Sequence, residues 1–167
     1  MIGGVTHANV PSAGEERPVV AVLATDGSDA ALHAMVRGMA VIRRGARPVL
    51  ATVAPDADPS LVTGTGFAGG VMSVAEKDEL LAAQDRSARQ LLAEAAEAIG
   101  VPSAERVVLR GDAGVALCEL AAERRADVIV LGTRGLGGIK RAVLGSVSDH
   151  VARHAPCAVL TIGVDAS

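Results

Sequence analysis

Aromatic side chains are almost missing from this 167-residue chain: tryptophan and tyrosine are absent, and Phe67 is the one phenylalanine. A core must therefore be built from Val, Leu, Ile, Met and Ala. Single-stranded nucleic acid would find no aromatic platforms on which to stack its bases. Lysine is scarce as well, with only Lys77 and Lys140 among 16 basic residues, and the net charge is −3 with no basic block. That excludes the electrostatic footprint of a nucleic-acid binder. The only cysteines, Cys118 and Cys157, lie far apart without His or Cys at metal-ligand spacing. They read as buried, reduced thiols and not as a disulfide or a metal pair. No apolar run approaches the roughly 20 residues of a membrane span. Met1 to His7 has neither a basic stretch nor a long apolar core, so no signal peptide is expected. The expectation is a soluble, cytoplasmic protein that engages neither membrane nor nucleic acid.

What is present is aliphatic and periodic. Residues 1–17 hold Gly, Ser, Pro and charge without a period, which reads as a flexible tail before a single domain over 18–167. A continuous apolar run, Arg17 to Ala24, is the first strand, and its unbroken apolarity suggests burial on both faces. Leu32, Met35, Val36, Met39 and Ile42 then recur as one helix face, closed by Gly45. Arg47 to Val53 is a second strand, followed by the longest loop, Ala54 to about Ser73. A helix from Val74 to Ile99 carries Leu80, Leu81, Ala88, Leu91, Leu92, Ala95 and Ile99, and Gly100 stops it. A third strand, Arg106 to Arg110, leads through Gly111-Asp112-Ala113 into a helix with Val115, Ala116, Leu120 and Ala121 on its apolar side. Asp127 to Leu131, a helix from Val147 to His154, and Ala158 to Ile162 complete the pattern. Strands alternating with helices argue an α/β domain, a parallel sheet covered on both faces.

The densest chemical signal is the stretch Leu131 to Ser148, rich in glycine and starting at the end of a buried strand. Glycines there let backbone N–H groups approach an anion, and the helix start at Gly145-Ser146 adds unpaired donors and a positive dipole end. The hydroxyls of Ser146 and Ser148 are candidate donors, and Arg134, Lys140 and Arg141 supply positive charge. Neither the P-loop nor the dinucleotide fingerprint matches, because no Gly-Lys pair exists and the glycines come late. The same glycines are open to a second reading, as a loose turn that only reverses the chain. Asp26, after the first strand, also has two readings: an acceptor for a ribose hydroxyl at a switch-point crevice, or a turn or cap residue beside Gly27. His150 and His154 stand one turn apart beside Asp149, but without the HExxH glutamate they read as an exposed helix end. His33 reads as lying on the solvent side of the first helix. No catalytic triad is legible along the chain.

Gly132, two residues, Gly135, nine residues, then Gly145-Ser146 spell G-x2-G-x9-G-[ST], and the chain resembles the ATP-binding subgroup of the universal stress protein family. Further matches are Val22 to Ser28 around Asp-Gly-Ser, Leu120 to Gly132, and Gly145-Ser146-Val147-Ser148 through Arg153 to Cys157. The resemblance runs from about Val19 to Ile162. It implies a single Rossmann-like domain whose five parallel strands stand in the order 3-2-1-4-5. It implies ATP, possibly with Mg²⁺, at the carboxyl ends of the strands. By position, Ala24, Thr25, Asp26 and Val53 meet the base and ribose. Leu131, Gly132, Thr133, Arg134, Gly135, Gly145, Ser146, Val147 and Ser148 meet the phosphates. No catalytic or resident-metal residue is implied, and any hydrolysis of ATP would be slow. The resemblance implies a homodimer, for which the last strand is the natural pairing edge. The leading expectation is a nucleotide-dependent stress-response protein. Its rivals are an enzyme acting at the nucleotide α-phosphate and an interaction protein that ignores nucleotide.

Overall fold

A computed structural model describes residues 17–42, 45–55, 73–133 and 144–163. The elements are β1 (Val20–Ala24), α1 (Asp29–Val41), β2 (Arg47–Ala54), α2 (Val74–Ala98), β3 (Glu105–Arg110), α3 (Ala113–Glu123), β4 (Val128–Gly132), α4 (Ser146–His154) and β5 (Ala158–Ile162). All strand pairs are parallel, and the sheet order is β3-β2-β1-β4-β5. The fold expected from the sequence is the one observed. β1 lies at the centre with all of its residues buried, as its continuous apolar run requires.

Strand alternation splits the core in two. Val22 and Ala24 of β1, Val49 and Ala51 of β2, and Ile129 and Leu131 of β4 point to one face, where Leu117, Leu120 and Ala121 of α3 and Val151 of α4 cover them. Leu23, Leu50 and Val130 point the other way, onto Met35 of α1 and Leu92, Ala95 and Ala96 of α2. Described core residues are aliphatic throughout. Phe67 and the loop residues 56–72 lie outside the described residues.

Local chemistry fixes the helix ends. Ser28 accepts from the Ala31 N–H at 3.1 Å, and Asp112 accepts from Val115 N–H at 3.0 Å. Ser73 and Glu76 exchange side-chain and backbone bonds in a capping box at α2. Gly100, at φ +74°, ends α2, with Val101 N–H on the Ala96 carbonyl at 2.8 Å and Gly100 N–H on Glu97 at 3.0 Å. That is the Schellman pattern. The same two bonds close α3, although Arg125 takes the left-handed position there at φ 49°.

Two apolar stripes read from the sequence are corrected. Val36 and Val115 are exposed, at 46% and 41%. In α1 the residues against the sheet are Ala31, Ala34, Met35 and Gly38. A Cβ at Gly38 would run into the Val130 side chain, so α1 has rolled its smallest residues onto β4 and turned Val36 outward. In α3, Gly114 meets the His150 ring of α4, where a Cβ would lie 2.7 Å from His150 Cγ; Leu117 takes the buried place and Val115 turns to solvent. Arg17, assigned to the tail from sequence, forms a two-pronged pair with Asp127 at 2.6 and 2.9 Å, and Asp127 also accepts from Val20 N–H. β1 itself begins three residues later than the apolar run. Residues 1–16 lie outside the described residues.

Candidate functional site

The strand order reverses direction between β1 and β4: β2 follows β1 on one side, and β4 pairs with it on the other. In a doubly wound sheet such a reversal opens a crevice beyond the carboxyl ends of the two strands. Leu23 is in register with Val130, so the exits of β1 and β4 stand side by side. β1 leads to α1 on one face of the sheet, while β4 leads toward α4 on the other.

The β1 exit is a fixed turn. Thr25 is buried and donates its N–H to the Ala51 carbonyl at 2.9 Å, while its hydroxyl oxygen accepts from Gly27 N–H at 3.1 Å. Asp26 is exposed, and its Oδ1 accepts from Ser28 N–H at 3.0 Å and from Ser28 Oγ–H at 2.6 Å. This is the turn role of Asp26. It is compatible with a ligand role, because a carboxylate presents about four acceptor sites. Gly27 is required by its backbone, with φ at +85°, while the Leu91 side chain of α2, whose Cδ1 would lie 2.7 Å from a Cβ there, could turn aside.

The β4 exit is stitched to the start of α4. Thr133 donates its N–H to Ile162 of β5 at 3.0 Å, and Gly145 N–H returns to the Thr133 carbonyl at 2.8 Å. The structure thus brings Gly132 and Thr133 beside Gly145 and Ser146, although eleven residues separate Thr133 from Gly145 in the chain. Ser148 is buried, and its hydroxyl donates inward to the Gly145 carbonyl at 2.9 Å, with Thr133 O at 3.4 Å. Its single hydroxyl proton is committed there. What Ser148 presents toward the crevice is its backbone N–H, contrary to the side-chain role read from the sequence. Arg134 and Gly135, with Lys140 and Arg141, lie outside the described residues.

The helix starts differ in a way that matters chemically. α1, α2 and α3 are capped by Ser28, Ser73 and Asp112, whereas α4 begins at Gly145 with no side-chain cap. Among the described residues, the N–H groups of Ser146, Val147 and Ser148 donate to nothing. These are the orphan donors of a helix start, at the positive end of its dipole. Gly145 is not glycine for conformational reasons, since φ −74° and ψ 164° suit any residue. Nor does packing among the described residues exclude a side chain: a Cβ would rest at 3.4 Å from Thr133 O and 3.7 Å from Ser148 Oγ, ordinary contacts. What glycine does here is withhold a side-chain cap from the α4 amides.

The remaining residues read from the sequence form an apolar rim. Ala24 and Leu131 are buried in the cluster on the α3–α4 side, with Val147 packed against it. Val53 follows Ala51 by two positions, so it lies on that same face, partly exposed and paired with Leu109 of β3.

Elsewhere, His150 and His154 stack with ring centroids 4.3 Å apart, and His154 Nδ1 lies 2.8 Å from the His150 carbonyl. Among the described residues no group of three or more His, Cys, Asp or Glu is placed to hold a metal ion. His33 is exposed on α1 as expected. Cys118 and Cys157 are free thiols, half-buried where full burial was expected, and burial pushes the pKa of each upward. No described helix is long and apolar enough to cross a membrane. The sequence reading missed the pairing of Arg110 with Asp85 and the burial of Thr52, which belong to the α2 side of the sheet. Contacts between residues so far apart leave no periodic trace.

Comparisons with known proteins agree with this fold. The model of the universal stress protein family matches residues 20–163. A universal stress protein of Thermus aquaticus is 33% identical over 141 residues, covering 84% of this chain and 96% of its own. A solved universal stress protein in complex with cAMP is 32% identical with a TM-score of 0.59, covering 86% of this chain and 96% of that one. A family member from Arabidopsis thaliana, solved with AMP bound, shares the fold at 20% identity and a TM-score of 0.57, covering 89% of this chain and 94% of its own.

Proposed function

The chain belongs to the universal stress protein family, and from that premise we propose that it binds an adenine nucleotide, ATP above all, in the crevice between the exits of β1 and β4. The observation that carries this reading is the uncapped start of α4, where three backbone N–H groups without a partner among the described residues follow a glycine that neither backbone nor described packing demands. Such a helix start takes phosphate oxygens directly. In this reading Gly132, Thr133, Gly145, Ser146, Val147 and Ser148 hold the phosphates, joined by Arg134 and Gly135. Asp26 accepts from the ribose hydroxyls, and Ala24, Val53 and Leu131 give the base an aliphatic seat. Thr25 fixes the turn that presents Asp26.

The relatives solved with cAMP and with AMP support an adenine ligand. Mg²⁺ would arrive with the phosphates, since the cation is commonly held by phosphate oxygens and few carboxylates. Binding, rather than turnover, is the proposed activity: a nucleotide-dependent regulatory role in the cytoplasmic stress response. A homodimer through β5 belongs to the same reading, because β5 ends the sheet and is a mostly apolar edge strand.

Equilibrium dialysis of the purified full chain against ATP, AMP and inorganic triphosphate tests the proposal, with mass spectrometry of nucleotide released on denaturation. Saturable ATP binding is expected. Absence of binding at millimolar ATP would leave the interaction-protein reading in its place.

A further inference from the structure

The carboxyl end of β3 carries a side-chain clasp that the site described above does not use. Arg110 is the last residue of β3 and stands in register with Ala54, the last residue of β2. Its Nη1 donates to the Pro55 carbonyl at 3.0 Å, and its Nη2 donates to Asp85 Oδ1 of α2 at 2.5 Å. One planar guanidinium thus joins the end of the edge strand, the exit of β2 and the body of α2. The side chains of Arg110 and Asp85 are 34% and 39% exposed, so the pair is partly covered. A charge-assisted bond backed by a second acceptor on the same guanidinium fixes its geometry better than a single neutral bond does.

β2 needs a tether at this point. Its pairing with β1 ends at Ala51, which faces Ala24, and the last backbone bond across that seam is Thr25 N–H to Ala51 O. Thr52, Val53 and Ala54 continue with β3 alone on one side. Thr52 and Ala54 are buried, while Val53 between them, the seat assigned to the base, is partly exposed, so its place depends on how this three-residue end is held.

We propose that Arg110 is a positioning residue for base recognition: through Asp85 and Pro55 it fixes the end of β2 so that Val53 holds its place against the adenine ring. Arg110 has no part in gripping phosphate. The inference rests on the adenine-nucleotide reading of the crevice.

Calorimetric titration of the full chain with ATP, adenosine and inorganic triphosphate tests it in Arg110→Ala and Asp85→Ala. Releasing about one residue from a fixed conformation corresponds to roughly tenfold weaker ATP and adenosine binding. Triphosphate affinity should stay unchanged in both variants. Arg110→Lys, which reaches only one of the two acceptors, should recover part of the loss. Amide exchange reads the same claim without ligand: Val53 and Ala54 should exchange faster in Arg110→Ala while Val22 and Leu23 stay protected. Equal loss of ATP and triphosphate, or unchanged ATP affinity with unchanged exchange at Val53, overturns the positioning role alone. A wild-type chain that binds none of the three ligands overturns the nucleotide reading, and the inference falls with it.

Discussion

Replacing Gly145 by serine separates the two jobs that a helix start can do. At φ −74° and ψ 164° the residue already has N-cap geometry, and its Cβ would sit 3.4 Å from Thr133 O without displacing anything described. A serine there turns its hydroxyl oxygen onto the N–H of Val147 or Ser148, as Ser28 and Ser73 do for α1 and α2. Serine at an N-cap is better than glycine by a few tenths of a kcal/mol, which for a domain of this size is a rise in Tm of about 1 °C. The same hydroxyl withdraws one of the donors assigned to phosphate and crowds the space before the others. A hydrogen bond to a charged group contributes about 1.5–3 kcal/mol, so ATP affinity should fall roughly ten- to hundredfold. Thermal unfolding of the ligand-free chain and calorimetric titration with ATP read the two effects separately. The expected result is opposite signs: a slightly more stable protein that binds ATP worse. Gly145→Val should lose ATP binding as well, without the gain in stability, since valine caps nothing. If Gly145→Ser keeps wild-type ATP affinity, the α4 amides are not the phosphate grip.

Asp26→Ala should weaken ATP more than inorganic triphosphate in titration, since a ribose contact is absent from the latter; equal weakening removes the ribose role. Gly38→Ala should destabilise the fold by about 1–3 kcal/mol in urea unfolding, because its Cβ would enter the fully buried Val130, and this outweighs the gain of about 1 kcal/mol in helix propensity. Gly114→Ala should likewise destabilise against the His150 ring, and adding His150→Ala should restore most of the loss; simple additivity in that cycle would deny the contact. At the start of α2, Ser73 N–H bonded to Glu76 holds that carboxyl below its usual value of 4.5. A lowered folded-state pKa means the capping contribution is present above pH 4.5 and is lost as pH falls through the lower folded value. The protection of the Ser73 amide, relative to its intrinsic exchange rate at each pH, should therefore fall in acid, and Glu76→Gln should flatten that dependence.

The elements were legible wherever one face of an element decides its character. β5 runs over Ala158–Ile162 as its short apolar run reads, and the central strands follow their continuous aliphatic runs. Helix faces were less legible, because hydrophobicity and burial part company when helices pack through glycine. Gly38 and Gly114 face the interior and carry no hydropathy signal, so Val36 and Val115 were placed inside in their stead. At the site, the parallel pairing of β1 with β4 brings the Asp26 turn and Gly132 to one rim, a juxtaposition that chain order alone left conditional. Ser148 shows the limit of motif reading: its hydroxyl turns inward to hold Gly145, a direction no spacing reveals.

The composition and the candidate site explain one another. A chain with one phenylalanine and no tyrosine or tryptophan has few side chains with which to stack a base, whereas its basic residues are almost all arginine. In the proposed reading the phosphates are met first by groups every residue carries, the backbone amides of a helix start. That reading fits α4, whose start is uncapped while three other helices are capped by their own side chains. A side-chain cap at position 145 would fill the amides permanently, and glycine keeps them available. In the proposed reading the aliphatic residues Ala24 and Val53 at the strand ends offer a base shape and dryness instead of stacking. Dryness discriminates weakly between bases, so the placement of that rim matters more than its chemistry. The structure ties it down at both ends, by Thr25 on Ala51 and by Arg110 on Pro55.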